Sequence, residues 1–277
     1  MDISIIDQGD KVEITNISDF DLYGIFECGQ CFRWNSDESG AYTGAAFSRA
    51  VRLWREQNSI FISCTMDEFQ SVWFDYFDLG RDYEKIREKL GISDFMQRAT
   101  AYGAGIRILR QDKWEALCSF IISQNNHIPR IKKIVEALCG LFGEPISFDG
   151  SVYYSFPTPE KLCGLDESDL APLRCGYRAD YILSAARAVA DGSLDLDALS
   201  QSSIPDARRE LLKIRGVGNK VADCVLLFGF GLLDSFPVDV WMKRAISEHF
   251  SPDFDPTVFS PYAGIAQQYI FHYVRSL

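Results

Sequence analysis

The sequence predicts an α+β fold, with an N-terminal antiparallel-sheet domain over residues 1–108 and an all-helical domain over 109–277. Three observations lead to this prediction. Short segments with alternating apolar side chains occupy the N-terminal region. Apolar residues at helical spacing replace them after Gly103. A short glycine turn joins two helical segments between about 205 and 230.

The predicted strands come first along the chain. VEIT alternates apolar and polar side chains, and Phe32 and Trp34 alternate before the turn-rich segment SDESG. VRLWR and SIFISC, separated by EQN, predict a hairpin. Helical spacing then predicts three helices, over 67–77, 81–90 and 94–102.

The second domain is predicted to contain helices and no strands. Thr158-Pro159 is typical of a helix start, and Pro129 is tolerated in the first turn of another helix. Apolar residues at helical spacing predict further helices near 114–121, 128–142, 181–189, 205–213, 219–230 and 265–273.

Composition limits the classes of function. No apolar run approaches the length of a membrane span, and the acidic start, MDISIIDQGD, lacks the features of a secretory signal, so we expect a cytoplasmic protein. The net charge of −11 and the pI near 4.8 argue against purely electrostatic binding of nucleic acid. A local basic face on the protein is compatible with this net charge and pI.

The cysteines predict no disulfide and no metal centre. Most of the eight lie in apolar helical patterns, where a free thiol packs as a small hydrophobe. Cys28 and Cys31 form one CxxC pair, but the second pair of a zinc site is missing. We therefore expect no metal and no cofactor.

The glycine turn carries an unusual lysine. In RGVGNKVADC, Gly216 and Gly218 allow close approach to the backbone, and the amides that begin the next helix are suited to bind a phosphate. A helix N-terminus disfavours a nearby ammonium. Lys220 therefore either points to water or supplies an amine that loses its proton easily.

A carboxylate follows this lysine at a short distance along the chain. Asp239, in SFPVDVW, lies 19 residues after Lys220, and Cys224 shares the helical face of the lysine. Together, the amine is a candidate nucleophile and the carboxylate a candidate for supporting a developing cation. The alternative role for Asp239 is an ordinary helix N-cap.

These motifs resemble the 8-oxoguanine DNA glycosylase/lyase family of the helix-hairpin-helix superfamily, in its compact bacterial form. The resemblance rests on ordered segments that span about 29–271: GQCFRW, SQNNHIPRI, CGYRADYI, GVGNKVADC, PVDVW and AGIAQQYIF. It implies a base-excision repair enzyme that acts, as a monomer, on double-stranded DNA containing 8-oxoguanine paired with cytosine. It also implies that the helix-hairpin-helix lies at about 205–230.

The resemblance assigns catalytic and base-binding roles. Lys220 would attack the sugar C1′, forming a Schiff base that permits strand cleavage by β-elimination, and Asp239 would stabilise the cationic sugar. Phe271 and Cys224 would enclose the extruded base. Gln267 would bind its Watson–Crick edge, and the Gly29 carbonyl would accept a hydrogen bond from N7–H, which guanine lacks.

The resemblance also implies DNA contacts. Asn125 would fill the gap left by the extruded base, and Tyr177 would wedge into the stack. Arg130 and Arg178 would read the orphaned cytosine, while the amides of Gly216 and Gly218 would hold a phosphate. Taken individually, these residues have ordinary alternatives: Asn125 as a helix cap, Tyr177 and Phe271 as packed aromatics.

Two positions depart from the family pattern. Trp241 stands where many members have a histidine, and Val274 where they have its aspartate partner. These replacements put in doubt the phosphate contact that the histidine would make.

Three other functions remain as alternatives at this point. A monofunctional alkylated-base glycosylase would not require Lys220. An iron–sulfur glycosylase/lyase would need cysteines near the C-terminus, and the last one here is Cys224. A non-catalytic DNA-binding module would form no covalent intermediate.

Overall fold

A computed structural model describes residues 3–277, so the first two residues of the predicted N-terminal domain lie outside it. A six-stranded antiparallel sheet, ordered β1-β2-β6-β5-β4-β3, forms the N-terminal part. Its strands are β1 Ser4–Asp7, β2 Val12–Thr15, β3 Trp34–Ser36, β4 Tyr42–Ala46, β5 Arg49–Glu56 and β6 Ser59–Ile62. Val12 pairs with Ile62, and Ile14 with Ile60, so the alternation buries one face.

Short helices cover this buried face. They are α1 Leu22–Glu27, α2 Met66–Glu68 and α3 Phe74–Tyr76, with a π-helical turn, Phe69–Trp73, joining the last two. Aromatic rings fill the space between sheet and helices, and the centroids of Phe26 and Trp34 lie 4.4 Å apart. We call this cluster the sheet core.

The remaining helices surround a second cluster, the helical core. They are α4 Tyr83–Leu90, α5 Asp94–Tyr102, α6 Lys113–Ser123, α7 Ile128–Phe142, α8 Pro159–Cys163, α9 Arg178–Ala190, α10 Leu196–Leu199, α11 Ile204–Leu211, α12 Asn219–Phe228, α13 Val240–His249 and α14 Ala263–Val274. Two 3₁₀ turns lie at Ala171–Leu173 and Pro256–Phe259.

The helical part contains one strand pair that the sequence analysis did not predict. β7 Pro145–Phe148 and β8 Ser151–Tyr154 form a hairpin. Its turn is Asp149-Gly150, with both residues at positive φ, the geometry that two-residue hairpins prefer. The expectation that strands end at Gly103 was wrong, because the Asp149-Gly150 turn pairs the two short segments on either side of it.

The α+β class, with a sheet followed by a helical domain, is confirmed. The boundary at residue 108 stays a prediction. Tyr83, Phe95 and Met96 precede it in sequence, yet their side chains pack in the helical core. Over residues 3–277, no helix is long and apolar enough to cross a membrane.

Candidate active site

The α11–α12 hairpin is built around Gly216. This residue has φ of +81°, and a Cβ there would lie 2.1 Å from Cδ2 of Tyr181 in α9. Only glycine allows the tyrosine ring to pack directly on the turn. Gly218, in extended conformation, is the N-cap of α12, so the turn delivers the chain into the helix just before Lys220.

Lys220, half-buried in the first turn of α12, points toward α6. Its Nζ lies 3.3 Å from Oγ of Ser123 and 5.3 Å from the centroid of the Phe120 ring. The Ser123 hydroxyl donates to the Phe120 carbonyl, so its oxygen is free to accept from the lysine. The amine is therefore held by the Ser123 hydroxyl and the Phe120 ring, and no carboxylate within residues 3–277 forms an ion pair with it.

Asp239 is the N-cap of α13 and accepts a hydrogen bond from the Met242 amide at 2.9 Å. Asp239 therefore does cap α13, as one of the two predicted roles required, and any role in catalysis would be additional. Cys224 follows Lys220 by one turn of α12, and burial raises the pKa of its thiol to about 11, a shift that the Lys220 charge opposes. The Cys224 side chain is therefore neutral at physiological pH.

A cleft of about 600 Å³ brings Lys220 and Asp239 together, whereas Cys224 and Gln267 are not among the residues on its wall. Lys220, Asp239, Phe271 and Gly29 all lie on its wall, although they come from four separate parts of the chain. Within residues 3–277, Asp239 is the single acidic side chain lining it. The cleft thus combines an amine, a carboxylate and an aromatic face in one concave site, the arrangement expected of an active site.

The turn that carries Gly29 is fixed by hydrogen bonds of the next residue, Gln30. Gln30 is fully buried, donates to the carbonyls of Ile25 and Arg107 at 2.9 Å each, and accepts from the Leu109 amide. Gly29 has φ of +87°, and a Cβ there would meet Ile128 and Phe271. Glycine is therefore favoured chiefly by the backbone conformation, and a Cβ would also lie only 3.3 Å from Cδ1 of Ile128.

Two adjacent glutamines on α14 have opposite hydrogen-bonding states. Gln268 donates to the Cys28 carbonyl at 3.0 Å and so braces the Gly29 turn. Gln267, one helical turn before Phe271, is buried, yet its Oε1 has no hydrogen-bond partner among the described residues. A buried amide oxygen without a partner costs stability, and such groups often serve a ligand.

Two family models match this chain. The model for the N-terminal domain of 8-oxoguanine DNA glycosylase matches residues 13–117, and that for the HhH-GPD superfamily of base-excision DNA repair proteins matches 118–258. The chain belongs to the 8-oxoguanine DNA glycosylase family. This glycosylase is accordingly a base-excision repair enzyme with glycosylase and lyase activities.

Known relatives agree with the family models. An N-glycosylase/DNA lyase of Saccharomyces cerevisiae is 34% identical over 255 residues, which cover 83% of this chain and 68% of the yeast protein. The structure of MBOgg1 with a low-affinity DNA ligand is 45% identical, with a TM-score of 0.95 over 100% and 99% of the two chains. A Clostridium acetobutylicum 8-oxoguanine glycosylase/lyase, bound to duplex DNA with cytosine opposite 8-oxoguanine, is 38% identical, with a TM-score of 0.93 over 100% and 99%.

In the glycosylase, Asn125 and Tyr177 form a projecting pair beside the cleft. Asn125 is exposed, has φ of +47°, and donates to the Tyr177 hydroxyl at 3.2 Å. It does not cap α7, whose N-cap is His127. Tyr177 is 48% exposed, so it is not a core aromatic. Asparagine tolerates the left-handed backbone that projects it outward.

Arg178 holds the turn that carries Asn125. Four hydrogen bonds from its guanidinium reach three backbone carbonyls, those of Cys175, Gln124 and Asn125. Four of its five N–H groups are thereby used within the protein. Arg130 is exposed and makes one hydrogen bond, to the Arg174 carbonyl at 3.1 Å. The two arginines are thus differently available to DNA.

Sequence reasoning missed two cations of the cleft, Lys243 and Arg275. The side chain of neither has an ion-pair partner among the described residues. The guanidinium of Arg275 lies 5.2 Å from the centroid of the Phe271 ring. No local motif marks either residue, because their position depends on how α13 and α14 meet. Within residues 3–277, no cluster of His, Cys, Asp or Glu suits a metal ion.

Proposed function

We propose that this glycosylase removes 8-oxoguanine paired with cytosine by direct attack of Lys220. The lone pair of Nζ forms a bond to C1′ as the glycosidic bond breaks, and the electrons leave with the base. Nζ then gives a proton to the departing base, cleavage of the C1′–O4′ bond gives a Schiff base, and transfer of a C2′ proton to water expels the 3′ phosphate, which nicks the strand. The observation that carries the proposal is the shared cleft of Lys220, Asp239 and Phe271. Borohydride trapping on lesion-containing duplex DNA tests it.

Asp239 supports this chemistry by its charge. The sugar gains positive character as the base departs, and a carboxylate held in a partly desolvated cleft stabilises that charge. The hydrogen bond from the Met242 amide fixes one oxygen of Asp239, which leaves the other to face the substrate. The rigid cap therefore serves to orient the carboxylate.

The lesion base must leave the duplex, because its atoms are inaccessible inside the stack. We place the extruded base between Phe271 and Cys224. The aromatic ring and the neutral, polarizable thiol suit the two faces of a purine. Gly29 accepts from N7–H of the lesion through its carbonyl, in a turn that the Gln30 hydrogen bonds keep from adapting to guanine. The unpaired Oε1 of Gln267 accepts from the Watson–Crick edge.

Replacing Gln267 with Leu is expected to lower kcat/KM for 8-oxoguanine about ten- to hundredfold, because the base loses a buried hydrogen bond. The melting temperature should stay constant or rise, since the unpaired oxygen disappears. Gln268→Leu is the matched control. It leaves the Cys28 carbonyl without its partner, so unfolding free energy should fall by about 1–3 kcal/mol. Equal destabilisation of both variants would contradict the assignment.

The DNA contacts are assigned by the same reasoning. Asn125 fills the vacated space, and Tyr177 wedges beside it and kinks the duplex. Arg130 offers free N–H groups to the orphaned cytosine. Arg178 contributes its remaining N–H and, chiefly, a fixed Asn125 turn. All of these groups come from one chain, so we propose that the enzyme acts as a monomer.

The cleft also accounts for DNA binding by an acidic protein. The Gly216–Gly218 turn is proposed to offer amides to a phosphate near the lesion. Lys243 and Arg275, which form no ion pair with another described residue, place two cations on the wall of the cleft. This local positive region can attract the DNA backbone although the net charge of the protein is negative.

Lys243→Ala and Arg275→Ala are each expected to weaken lesion-DNA binding and to reduce the slope of log K against log salt by about one. Fluorescence anisotropy at several salt concentrations measures both quantities. Arg49→Ala, on β5 outside the cleft, removes the same charge and should leave the slope unchanged. A similar loss in all three variants would mean that net charge, rather than the cleft, governs binding.

A further inference from the structure

Lys220 lies between two cavities. One is the DNA cleft. The other, of about 340 Å³, shares Lys220 and Val238 with it and is also lined by Asn219, Arg208 and Asp223. Asp223 comes three residues after the lysine, on the same face of α12. The amine therefore has a second charged neighbourhood, which the proposed mechanism does not use.

Asp223 forms a partly buried ion pair there, in which the side chain of Arg208 is 33% exposed. The side chain of Asp223 is 11% exposed, and its Oδ1 receives Nη2 of Arg208 at 2.6 Å and Nε at 2.7 Å. Burial raises the pKa of Asp223, and Arg208 opposes that shift. The arginine comes from α11, the first helix of the hairpin, so the pair links the two helices of the hairpin.

The proposed reaction of Lys220 suggests a function for the ion pair of Arg208 with Asp223. Lys220 attacks only as a free amine, and a nearby carboxylate favours the ammonium. On its own helix Lys220 has Asp223 and Cys224 as its neighbours three and four residues on, and the Cys224 thiol is neutral. The cleft side contributes Asp239, Lys243, His127 and Arg275. Asp239 is required for the sugar cation, so a second free carboxylate would only oppose the reaction.

We propose that Arg208 is a positioning residue for base excision: by pairing with Asp223, it prevents that carboxylate from stabilising the protonated form of Lys220. This inference rests on the proposed role of Lys220 as the nucleophile. It assigns the hairpin a task besides phosphate binding, because the first helix then controls the charge state of an amine carried by the second.

The test is the pH dependence of single-turnover base release from an 8-oxoguanine·cytosine duplex. At low pH the rate should fall as Lys220 becomes protonated, and we call this part of the profile the acid limb. In Arg208→Ala the midpoint of the acid limb should rise by about one pH unit, so the rate at a given pH on that limb falls about tenfold. The rate at high pH should stay within about twofold of the wild type. Asp223→Asn leaves Arg208 uncompensated and should move the limb in the opposite direction. Arg208→Lys should keep the wild-type midpoint.

The double variant Arg208→Ala/Asp223→Asn removes both charges and should restore the midpoint, even if thermal unfolding shows it to be less stable. An identical midpoint in all variants, with a uniform loss of rate, would overturn the inference and make the pair purely structural. Borohydride trapping of the wild type separates the two hypotheses. An adduct on Lys220 with unshifted variants refutes only the role of Arg208, whereas no lysine adduct refutes the nucleophile itself.

Discussion

Replacing Lys220 with Gln is expected to lower the rate of 8-oxoguanine release by about 10⁴-fold or more and to eliminate strand nicking, because the variant lacks the nucleophile. Binding of lesion DNA should remain near that of the wild type. Glutamine is one atom shorter than lysine but keeps a terminal N–H donor on the side that faces the Ser123 hydroxyl, so the cleft should keep its shape. Single-turnover kinetics with enzyme in excess measure the chemical step without interference from binding.

Lys213→Gln is the matched control for this experiment. Lys213 is exposed on the hairpin, pairs with Glu210 at 2.5 Å, and lies outside the cleft. The same substitution there should leave base release within about threefold of the wild type, because exposed ion pairs contribute little. If Lys220→Gln released the base at the wild-type rate, water rather than the lysine would be the nucleophile.

Replacing Asp239 with Asn is expected to slow base release by about 10²–10³-fold, because the negative charge that stabilises the sugar cation disappears. Asparagine caps helices as well as aspartate does, so α13 should stay intact and the melting temperature should change little. The substitution therefore separates the two functions of this residue. Base-release kinetics, DNA affinity and thermal unfolding should be measured on the same sample.

Asp239→Ala completes the comparison. It removes the cap as well as the charge, so unfolding free energy should fall by about 1 kcal/mol while base release drops as far as in Asp239→Asn. If Asp239→Asn were fully active and Asp239→Ala impaired, the carboxylate would serve only as a cap. That result would remove Asp239 from the proposed mechanism.

The fold was predictable where local pattern and burial agree. VEIT alternates because one face of β2 packs on the sheet core, and Pro129 lies in the first turn of α7 as helix chemistry requires. The β7–β8 hairpin escaped prediction because its strands are short and largely exposed. Only the Asp149-Gly150 turn marked it.

The candidate site was predictable where ordered motifs carry it. Lys220, Asp239, Gly29 and Phe271 were named from such motifs, and the structure places them in one cleft, although their roles stay proposals. The ion pair of Arg208 with Asp223 could not be predicted, because 15 residues and the hairpin geometry separate its partners. Similarly, the hydrogen bonds of Arg178 to the Asn125 turn depend on how α9 packs beside α6, which no local pattern records.

The central claim is that Nζ of Lys220 bonds to a deoxyribose carbon. Its most direct test is borohydride reduction during turnover of an 8-oxoguanine·cytosine duplex, followed by protease digestion and mass mapping of the adduct. We predict a single DNA-linked peptide, modified at Lys220. Modification at Lys243, the other lysine lining the cleft, or strand nicking without any trapped adduct, would contradict the account.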